Sequence, residues 1–347
     1  MTQHVPATDL ALATRGLEKK YGSRVALAGL ELSVPNGVVY GFLGPNGAGK
    51  TTTMRLLTGL IRPDAGTIDL LGRPFGGRDR HRLFDVGALV ESPSFYPYLS
   101  GRENLRALAA TGAAVPKARI EELLELVGLR ERARDKVQNY SLGMKQRLGI
   151  AGALLSDPKL LLLDEPANGL DPAGIAAMRA TLRHLASTGK TVFISSHILG
   201  EVQQMADVVG IVASGRLVRE GPMDQLLLSE SVVRVRVTVD EVPAAMGILE
   251  QLAPDGVTRA TEDGGSLSVR VEPDRAAEVN RALASAGIYA SRIETGSDLE
   301  SLFLSLTGGP QEAGGEGTFF GMAGAAIRRG APEESGPTEW RGGGGES

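Results

Sequence analysis

Hydrophobic and polar residues alternate along the first part of the chain. The segments LALATRGLEKKY, from Leu10, and VALAGLELSV, from Val25, show the period-2 pattern of strands with one buried face. The turn Pro35-Asn36-Gly37 closes the second segment. This pattern predicts an antiparallel sheet near the N-terminus.

Further along, short and continuously apolar runs alternate with helical patterns. The runs are VVYGFL from Val38, VGALV from Val86, LLLLD from Leu160 and TVFISS from Thr191. Such runs are typical of parallel strands that are covered on both faces. Between them, one helical pattern follows the first run and continues through Leu60, and residues 102–134 show a helical period. The sequence therefore predicts an α/β fold.

The pattern changes after Pro222. The segments SVVRVRVTVD and SLSVRVE alternate strictly, and each is followed by a helical pattern. They predict a small α/β accessory domain at about 231–307, ending in a helix DLESLFLSL, with no catalytic constellation in it. The main domain is predicted at 10–225, with a helical subdomain at about 92–157. Residues 1–9 and the Gly-rich tail 308–347 lack sustained periodicity and are predicted to be disordered.

Composition narrows the range of functions. The chain has 347 residues and a net charge of -4, which gives no electrostatic case for binding nucleic acid. It has no Cys, which excludes disulfides, thiolate metal sites and cysteine nucleophiles and suits a reducing cytosol. The N-terminus has no signal-peptide pattern, and no apolar run approaches the roughly 18 residues of a membrane span. Any membrane role is therefore expected to depend on a partner.

The segment GPNGAGKTT carries the clearest chemistry. It satisfies the phosphate-binding pattern G-x-x-x-x-G-K-[ST] and lies between a predicted strand and a predicted helix. Glycines let backbone N–H groups approach phosphate oxygens, and the following helix adds its positive N-terminal end. A Gly-rich turn with a surface lysine is the alternative, which the flanking strand and helix disfavour.

Each polar residue of this loop has an expected role. Lys50 is expected to bridge the β- and γ-phosphates, Thr51 to occupy one position around Mg²⁺, and Thr52 to contact the α-phosphate. The residues expected to surround the phosphates are Gly44, Pro45, Asn46, Gly47, Ala48, Gly49, Lys50, Thr51 and Thr52.

Two carboxylates follow the apolar run LLLL. Ligands bind at the carboxyl ends of parallel strands, which is where Asp164 and Glu165 fall. Asp164 is expected to reach Mg²⁺ directly or through water. Glu165, one residue on and pointing the other way along the strand, is expected to hold or deprotonate the water that attacks the γ-phosphate.

Tyr21 and His197 have two interpretations each, and Asp171 has a structural one. Tyr21 lies between two predicted strands and is either an adenine-stacking platform or a half-buried strand tyrosine. His197 ends another buried strand and is either a γ-phosphate contact or a structural histidine. Asp171, ahead of Pro172, has the position of a helix N-cap.

The loop SPSFYPYLSG, which follows Glu91, is rich in aromatic residues. Phe95, Tyr96 and Tyr98 predict a contact surface, because aromatic residues are enriched at interfaces. The alternative is that these side chains fold back onto the next helix.

Taken in order and spacing, these elements resemble the nucleotide-binding subunits of ABC transporters over roughly residues 8–225. The elements are Tyr21, GPNGAGKTT, Glu91, YSLGMKQR, LLLLDEP, NGLD and His197. The resemblance implies a P-loop NTPase of ABC ATPase type, with a mixed sheet core, an antiparallel β subdomain and a helical subdomain. It also implies ATP and Mg²⁺ as cofactors and ATP hydrolysis as the activity.

The same resemblance implies roles for individual residues. Tyr21 matches the A-loop, Asp164 the Walker B aspartate, Glu165 the catalytic glutamate and His197 the switch histidine. Glu91 matches the Q-loop position that faces Mg²⁺. Ser141 and Gly143 match the signature motif and Asp171 the D-loop, which contact nucleotide from a second subunit.

Two positions depart from the family pattern. The signature is YSLGM here, so that Met144 replaces an amide, and Glu91 replaces the usual Gln of the Q-loop. A carboxylate can face Mg²⁺ or water but lacks an N–H donor. Both features, with the segment ESPSFYPYLSGRENL, are similar to the bacterial subgroup that exports drugs and antibiotics.

One phosphate loop and one signature per chain imply a dimer of two copies with ATP sandwiched between them. The function implied is that of an ATP-hydrolysing subunit that drives export of an amphipathic compound through a separate membrane permease. Such a subunit is cytoplasmic and peripheral at the inner face of the cell membrane, with no membrane span of its own and no nucleic-acid partner. The alternatives are a soluble ABC ATPase that acts on ribosomes or DNA, and an ATP-gated module that sequesters a drug without a permease.

Overall fold

The structure is a computed structural model that describes residues 10–76, 80–112, 115–228, 233–254, 256–259, 266–296, 299 and 303. The predicted disordered segments 1–9 and 308–347 lie outside the described residues, as does the last predicted helix apart from Leu299 and Phe303.

The strands, in chain order, are β1 (Leu10–Tyr21), β2 (Arg24–Pro35), β3 (Val39–Leu43), β4 (Ala65–Leu70), β5 (Arg73–Phe75), β6 (Val86–Leu89), β7 (Leu160–Asp164), β8 (Thr191–Ser196), β9 (Val208–Ala213), β10 (Arg216–Pro222), β11 (Val233–Thr238), β12 (Val257–Arg259), β13 (Ser266–Val271) and β14 (Arg292–Gly296).

The helices, in chain order, are α1 (Lys50–Leu57), α2 (Gly101–Ala109), α3 (Lys117–Leu126), α4 (Leu142–Ala153), α5 (Pro172–Ser187), α6 (Leu199–Met205), α7 (Met223–Leu228), α8 (Val242–Leu252) and α9 (Ala276–Ser285). Within the described part of the chain, none of these helices combines the length and the apolar character that crossing a bilayer requires.

The described strands form three sheets. The first is antiparallel with the order β2-β1-β4-β5, and the third is antiparallel with the order β12-β13-β11-β14. The central sheet has the order β10-β9-β3-β8-β7-β6 and is parallel except for the β9–β10 pair. This arrangement confirms the predicted mixed sheet core and antiparallel β subdomain.

The register of the central sheet fixes the position of the site. Leu43, at the end of β3, pairs with Ser196 in β8, and Ser195 pairs with Asp164 at the end of β7. Because these strands are parallel and in this register, the loops that leave their carboxyl ends lie at one edge of the sheet. The phosphate loop, the Asp164-Glu165 pair and His197 therefore lie at the same edge.

Alternate side chains of the central strands pack into two cores. In β7, Leu161 and Leu163 belong to the core shared with the helices, whereas Leu160 and Leu162 face the antiparallel sheet. The two-residue period of a strand is the cause, since successive side chains point to opposite faces. On the second face, Tyr40 and Phe193 stack with their ring centroids 5.2 Å apart.

Two predicted helices are shorter than the sequence pattern indicates. Helix α1 ends at Leu57 rather than Leu60, because Gly59 adopts a left-handed φ of 66° and stops the helix. The helical region 102–134 is divided into α2 and α3 by the turn near Gly112, and Pro116 precedes the first turn of α3.

The accessory sheet has its own core, in which α8 and α9 cover apolar side chains of β11 and β13. The chain then returns to the main domain. The Leu299 N–H group donates a hydrogen bond to Gln203 Oε1 on α6 over 3.2 Å, and the Leu299 side chain is fully buried in the larger core. Leu299, which follows the accessory sheet in the chain, is therefore packed into the main domain.

A partly buried carboxyl group joins the antiparallel sheet to the central sheet. Glu220 Oε1 accepts hydrogen bonds from the Tyr40 hydroxyl, over 2.5 Å, and from the Ser33 N–H group, over 3.0 Å. Burial raises the pKa of Glu220, although both hydrogen bonds oppose this shift. Since the folded protein holds this proton more tightly than the unfolded chain does, Glu220 opposes folding increasingly as the pH rises through its raised pKa.

We expect Glu220→Gln to be at least as stable as the wild type at pH 8, because the amide oxygen can accept both hydrogen bonds without a buried charge. The difference in unfolding free energy should shrink toward pH 4, where Glu220 is protonated. Urea unfolding from pH 4 to pH 8 measures it. Tyr40→Phe removes the donor and should instead destabilise the protein by about 1–3 kcal/mol. A difference between Glu220→Gln and the wild type that does not vary with pH would contradict this account.

Candidate active site

The phosphate loop connects β3 to α1 and requires glycine at two of its positions. A Cβ atom at Gly49, where φ is 106°, would lie 2.6 Å from Leu27 Cδ2 and 2.7 Å from the Ala26 carbonyl oxygen. A Cβ atom at Gly44 would lie 2.5 Å from the Val212 carbonyl oxygen. Close packing against neighbouring strands therefore fixes the loop, and the helix N-terminus that follows faces the cleft.

Lys50 folds back over this loop. Its ammonium group donates hydrogen bonds to the carbonyl oxygens of Gly44, over 2.7 Å, and Pro45, over 3.3 Å. It also lies 3.3 Å from Glu165 Oε1. The buried ammonium group is thus held by oxygen atoms at the place where phosphate oxygens are expected.

Asp164 and Glu165 both contact Ser195 in the neighbouring strand. The Ser195 hydroxyl donates to Asp164 Oδ1 over 2.5 Å and accepts a hydrogen bond from the Glu165 N–H group over 3.0 Å. The Ser195 side chain is completely buried. One serine therefore orients the carboxylate of the first acid and the backbone of the second.

The sequence pattern predicts that Glu165 lies along the same strand as Asp164. In the structure Glu165 does not continue that strand. Strand β7 ends at Asp164, and Glu165 adopts a left-handed φ of 48°. This turn directs the Glu165 carboxylate toward Lys50 and toward His197, whose Nδ1 lies 2.8 Å from Glu165 Oε2. The structure thus joins Lys50, Glu165 and His197 in one chain of polar contacts.

These groups line an open cleft of about 670 Å³ beside the phosphate loop. Tyr21 lies at one end of the cleft, half exposed, with the Lys19 ammonium group 5.8 Å from the centre of its ring. An exposed ring at a cleft suits base stacking, and its assignment to adenine stays a prediction. The residues that line the cleft are Tyr21, Arg24, Ala26, Asn46, Gly47, Gly49, Lys50, Thr51, Thr52, Arg55, Glu165, Asn168 and His197.

The oxygen atoms of Thr51, which lines the cleft, and of Asp164, which precedes the lining residue Glu165, fit Mg²⁺. Asp164 Oδ1 is held by Ser195, while its other carboxylate oxygen accepts no hydrogen bond from the described residues, and Thr51 lines the cleft. Among the described residues, no group of three or more His, Cys, Asp or Glu side chains is arranged to hold a metal. A cation that takes few protein oxygens and completes its shell with water and phosphate matches this donor set.

Glu91, the other predicted metal contact, forms an ion pair with Arg55 of α1. Its backbone φ is 64°, a left-handed conformation that is uncommon for a residue other than glycine. The structure therefore holds the Glu91 carboxylate on a guanidinium group beside the cleft, and its predicted contact with Mg²⁺ stays a prediction.

The signature residues lie outside this cleft. Ser141 caps α4, where its hydroxyl accepts a hydrogen bond from the Met144 N–H group over 3.2 Å, and Gly143 lies in the first turn of that helix. Asp171 caps α5 by accepting a hydrogen bond from the Gly174 N–H group over 3.0 Å. None of these residues lines the cleft of its own chain. Their predicted contacts with nucleotide require a second copy.

The sequence pattern alone does not reveal the contacts of Ser195 and Arg55. Ser195 lies inside the run TVFISSH, where its hydroxyl looks like any strand serine, and only the register with β7 places it beside Asp164. Arg55 follows Lys50 by five residues on α1, and its ion pair with Glu91 connects residues 36 positions apart. Neither contact leaves a signal in local spacing.

Comparison with known proteins agrees with this arrangement. The family described as ABC transporter matches residues 27–168. The chain is 40% identical over 304 residues to the bacitracin transport ATP-binding protein BcrA of Enterococcus faecalis, a match covering 87% of this chain and 97% of that protein. It is 39% identical over 306 residues to the daunorubicin resistance ATP-binding protein DrrA3 of Streptomyces coeruleorubidus, covering 86% and 96%.

Solved structures show the same fold. A structure described as the ATP binding subunit of an ABC transporter has a TM-score of 0.56 and 29% sequence identity, and the match covers 62% of this chain and 91% of that one.

The Ser195 contacts generate a prediction. We expect Ser195→Ala to lower the turnover number for ATP by about 10- to 100-fold, because it removes the hydrogen bond that orients Asp164 and one that holds the Glu165 backbone. Steady-state ATPase assays measure the effect. Ser268→Ala, which removes a buried serine hydroxyl from the accessory sheet, is the matched control and should stay within about twofold of the wild type. Equal activity in the two variants would exclude the role given to Ser195.

Proposed function

The chain belongs to the ABC transporter family of ATP-binding proteins, and from that premise we propose that it hydrolyses ATP to power export of an amphipathic drug or antibiotic through a separate membrane permease. The observation that carries the ATPase assignment is the convergence of Lys50, Asp164, Glu165 and His197 at the phosphate loop. A cation and a candidate base thereby line one cleft, and a carboxylate suited to a metal lies next to that base in the chain.

Three residues of the cleft, Lys50, Glu165 and His197, have separate roles in ATP hydrolysis. Lys50 exchanges its contacts with Gly44, Pro45 and Glu165 for the β- and γ-phosphates. Release of Lys50 leaves the Glu165 carboxylate free to accept a proton from the attacking water, while His197 holds its other oxygen.

Water and phosphate oxygens of the bound nucleotide would complete the metal site. Thr51 and Asp164 would hold Mg²⁺, and Ser195 keeps the Asp164 carboxylate in one orientation. When bound, Mg²⁺ neutralises charge on the β- and γ-phosphates.

The single chain supports a dimeric mechanism. Ser141 and Gly143 present the N-terminus of α4 away from the cleft of their own chain, so they are available to the phosphates bound by another copy. ATP then favours the closed dimer, and loss of the γ-phosphate allows it to open.

The export assignment rests on relatives that this chain covers almost completely. One is described as acting in bacitracin transport and another in daunorubicin resistance. Both descriptions concern a drug or antibiotic, which supports a cargo of that class. We place the subunit on the cytoplasmic side of the membrane, attached to the inner face through the permease.

An exposed aromatic pair supports a docking surface for the permease. Tyr96 and Tyr98 are 55% and 62% exposed, and their ring centroids lie 6.1 Å apart. Phe95 behaves differently, since it packs against the core of the main domain. The proposed contact surface therefore consists of the two tyrosines. The Phe95 side chain instead folds back onto its own domain.

Transport itself is testable in cells. A sensitive host that expresses this chain together with its permease should tolerate higher concentrations of an amphipathic antibiotic, and Lys50→Ala should abolish the protection. Protection by this chain without any permease would instead support sequestration of the drug. No protection in any combination would contradict the export assignment while leaving the ATPase assignment to its own assay.

The Glu165 assignment gives a second prediction. Glu165→Gln should bind ATP and accumulate as a stable dimer, with turnover reduced by at least about 100-fold, because the amide cannot accept a proton. Light scattering after gel filtration with ATP, and again with ADP, measures the dimer. Lys50→Ala is the control and should lose nucleotide binding and dimer formation together. Normal turnover by Glu165→Gln would rule out this residue as the base.

The tyrosine pair gives a third prediction. Replacement of Tyr96 and Tyr98 together by Ala should weaken binding to permease-containing membranes by about tenfold or more, because buried aromatic side chains contribute most to such interfaces. Basal ATPase activity should be unchanged. Tyr289→Ala removes a tyrosine that is 79% exposed on the accessory domain and is the matched control. Co-sedimentation with membranes distinguishes them, and equal binding by both would contradict this docking surface.

A further inference from the structure

The ion pair between Arg55 and Glu91 joins a residue that lines the cleft to one beside it that is distant in sequence. Arg55 lies in the second turn of α1 and lines the cleft, whereas Glu91 follows β6 at the Q-loop position. The guanidinium group donates to a Glu91 carboxylate oxygen. Glu91 makes this contact from a left-handed backbone conformation, which is strained for a residue with a side chain.

Arg55 lines the same cleft as Tyr21, the predicted platform for the base. The hydrogen bond with Glu91 is the main cause of the raised pKa of the Arg55 guanidinium. One side chain therefore contacts the carboxylate expected at the metal and shares a cleft with the ring expected at the adenine.

Two cations that line the cleft are each paired with a carboxylate. Lys50 is neutralised by Glu165, and Arg55 is neutralised by Glu91. Each cation thus lies on a carboxylate that the mechanism needs elsewhere. A triphosphate brings negative charge that can replace the carboxylates as a partner of either cation.

We propose that Arg55 is a positioning residue, which holds the Glu91 carboxylate away from the metal position and releases it when nucleotide binds between Tyr21 and the phosphate loop. This proposal rests on the proposed function. It also explains what a carboxylate does at a position where the family has an amide. A guanidinium group forms an ion pair with Glu, whereas Gln would offer it only a neutral acceptor.

The test measures binding rather than turnover, in a Glu165→Gln parent that does not consume ATP. Mg²⁺ is titrated into protein with a fluorescent ATP analogue, and the Mg²⁺ concentration at half-saturation is read. Arg55→Gln should lower this concentration by roughly two- to fivefold, since Glu91 no longer has to leave an ion pair. The change is small because Arg55 and Glu91 are 41% and 53% exposed, and exposed pairs are weak.

Three further variants isolate the contact. Arg55→Lys keeps a charge within reach of Glu91 and should resemble the parent. In a Glu91→Gln background, Arg55→Gln should have no further effect. Arg130→Gln removes an arginine from an exposed pair with Glu125 on the helical subdomain and controls for the change in net charge.

Two results would overturn the role of Arg55. One is that Arg55→Gln changes the Mg²⁺ concentration at half-saturation equally with and without Glu91, and the other is that Arg55→Gln raises this concentration. In either case, ATP binding by the parent would leave the proposed function intact. Failure of the Glu165→Gln parent to bind ATP at all would count against the proposed function itself.

Discussion

The parallel register of β3, β8 and β7 is the constraint on which the rest of the site depends. Leu43 pairs with Ser196 and Ser195 with Asp164, so the phosphate loop and both acids leave the sheet at the same level. A slip of one residue would turn Ser195 to the other face and separate it from Asp164. The fully buried side chains of these strands prevent such a slip, since it would also exchange the two cores.

At this edge of the sheet, two cations of the cleft are paired with carboxylates of the same chain. Lys50 lies on Glu165 and Arg55 on Glu91, and Glu165 also contacts His197. Mutual pairing limits the cost of burying Lys50, since a buried charge without a partner is strongly unfavourable. Nucleotide binding is consequently an exchange of partners, in which phosphate oxygens replace carboxylate oxygens around the cations.

The sequence predicted the parts of this protein that depend on local pattern. The strand-loop-helix around Lys50, the position of Asp164 at the end of a buried strand and the antiparallel sheet all follow from spacing and periodicity, and the structure contains them. It could not predict the left-handed turn at Glu165 or the Ser195 contacts, because these depend on which strands are neighbours. The end of α1 was missed by three residues because the effect of Gly59 depends on its backbone conformation.

The burial of Leu299 has a consequence for how the molecule is made. This side chain belongs to the core of the main domain, yet it is encoded after the whole accessory sheet. Domains generally fold in order as they are synthesised. Here the core that supports α6 and the residue His197 before it is complete only after the accessory sheet has been made. Until Leu299 has been synthesised, the core beneath the catalytic edge of the sheet therefore lacks one of its buried side chains.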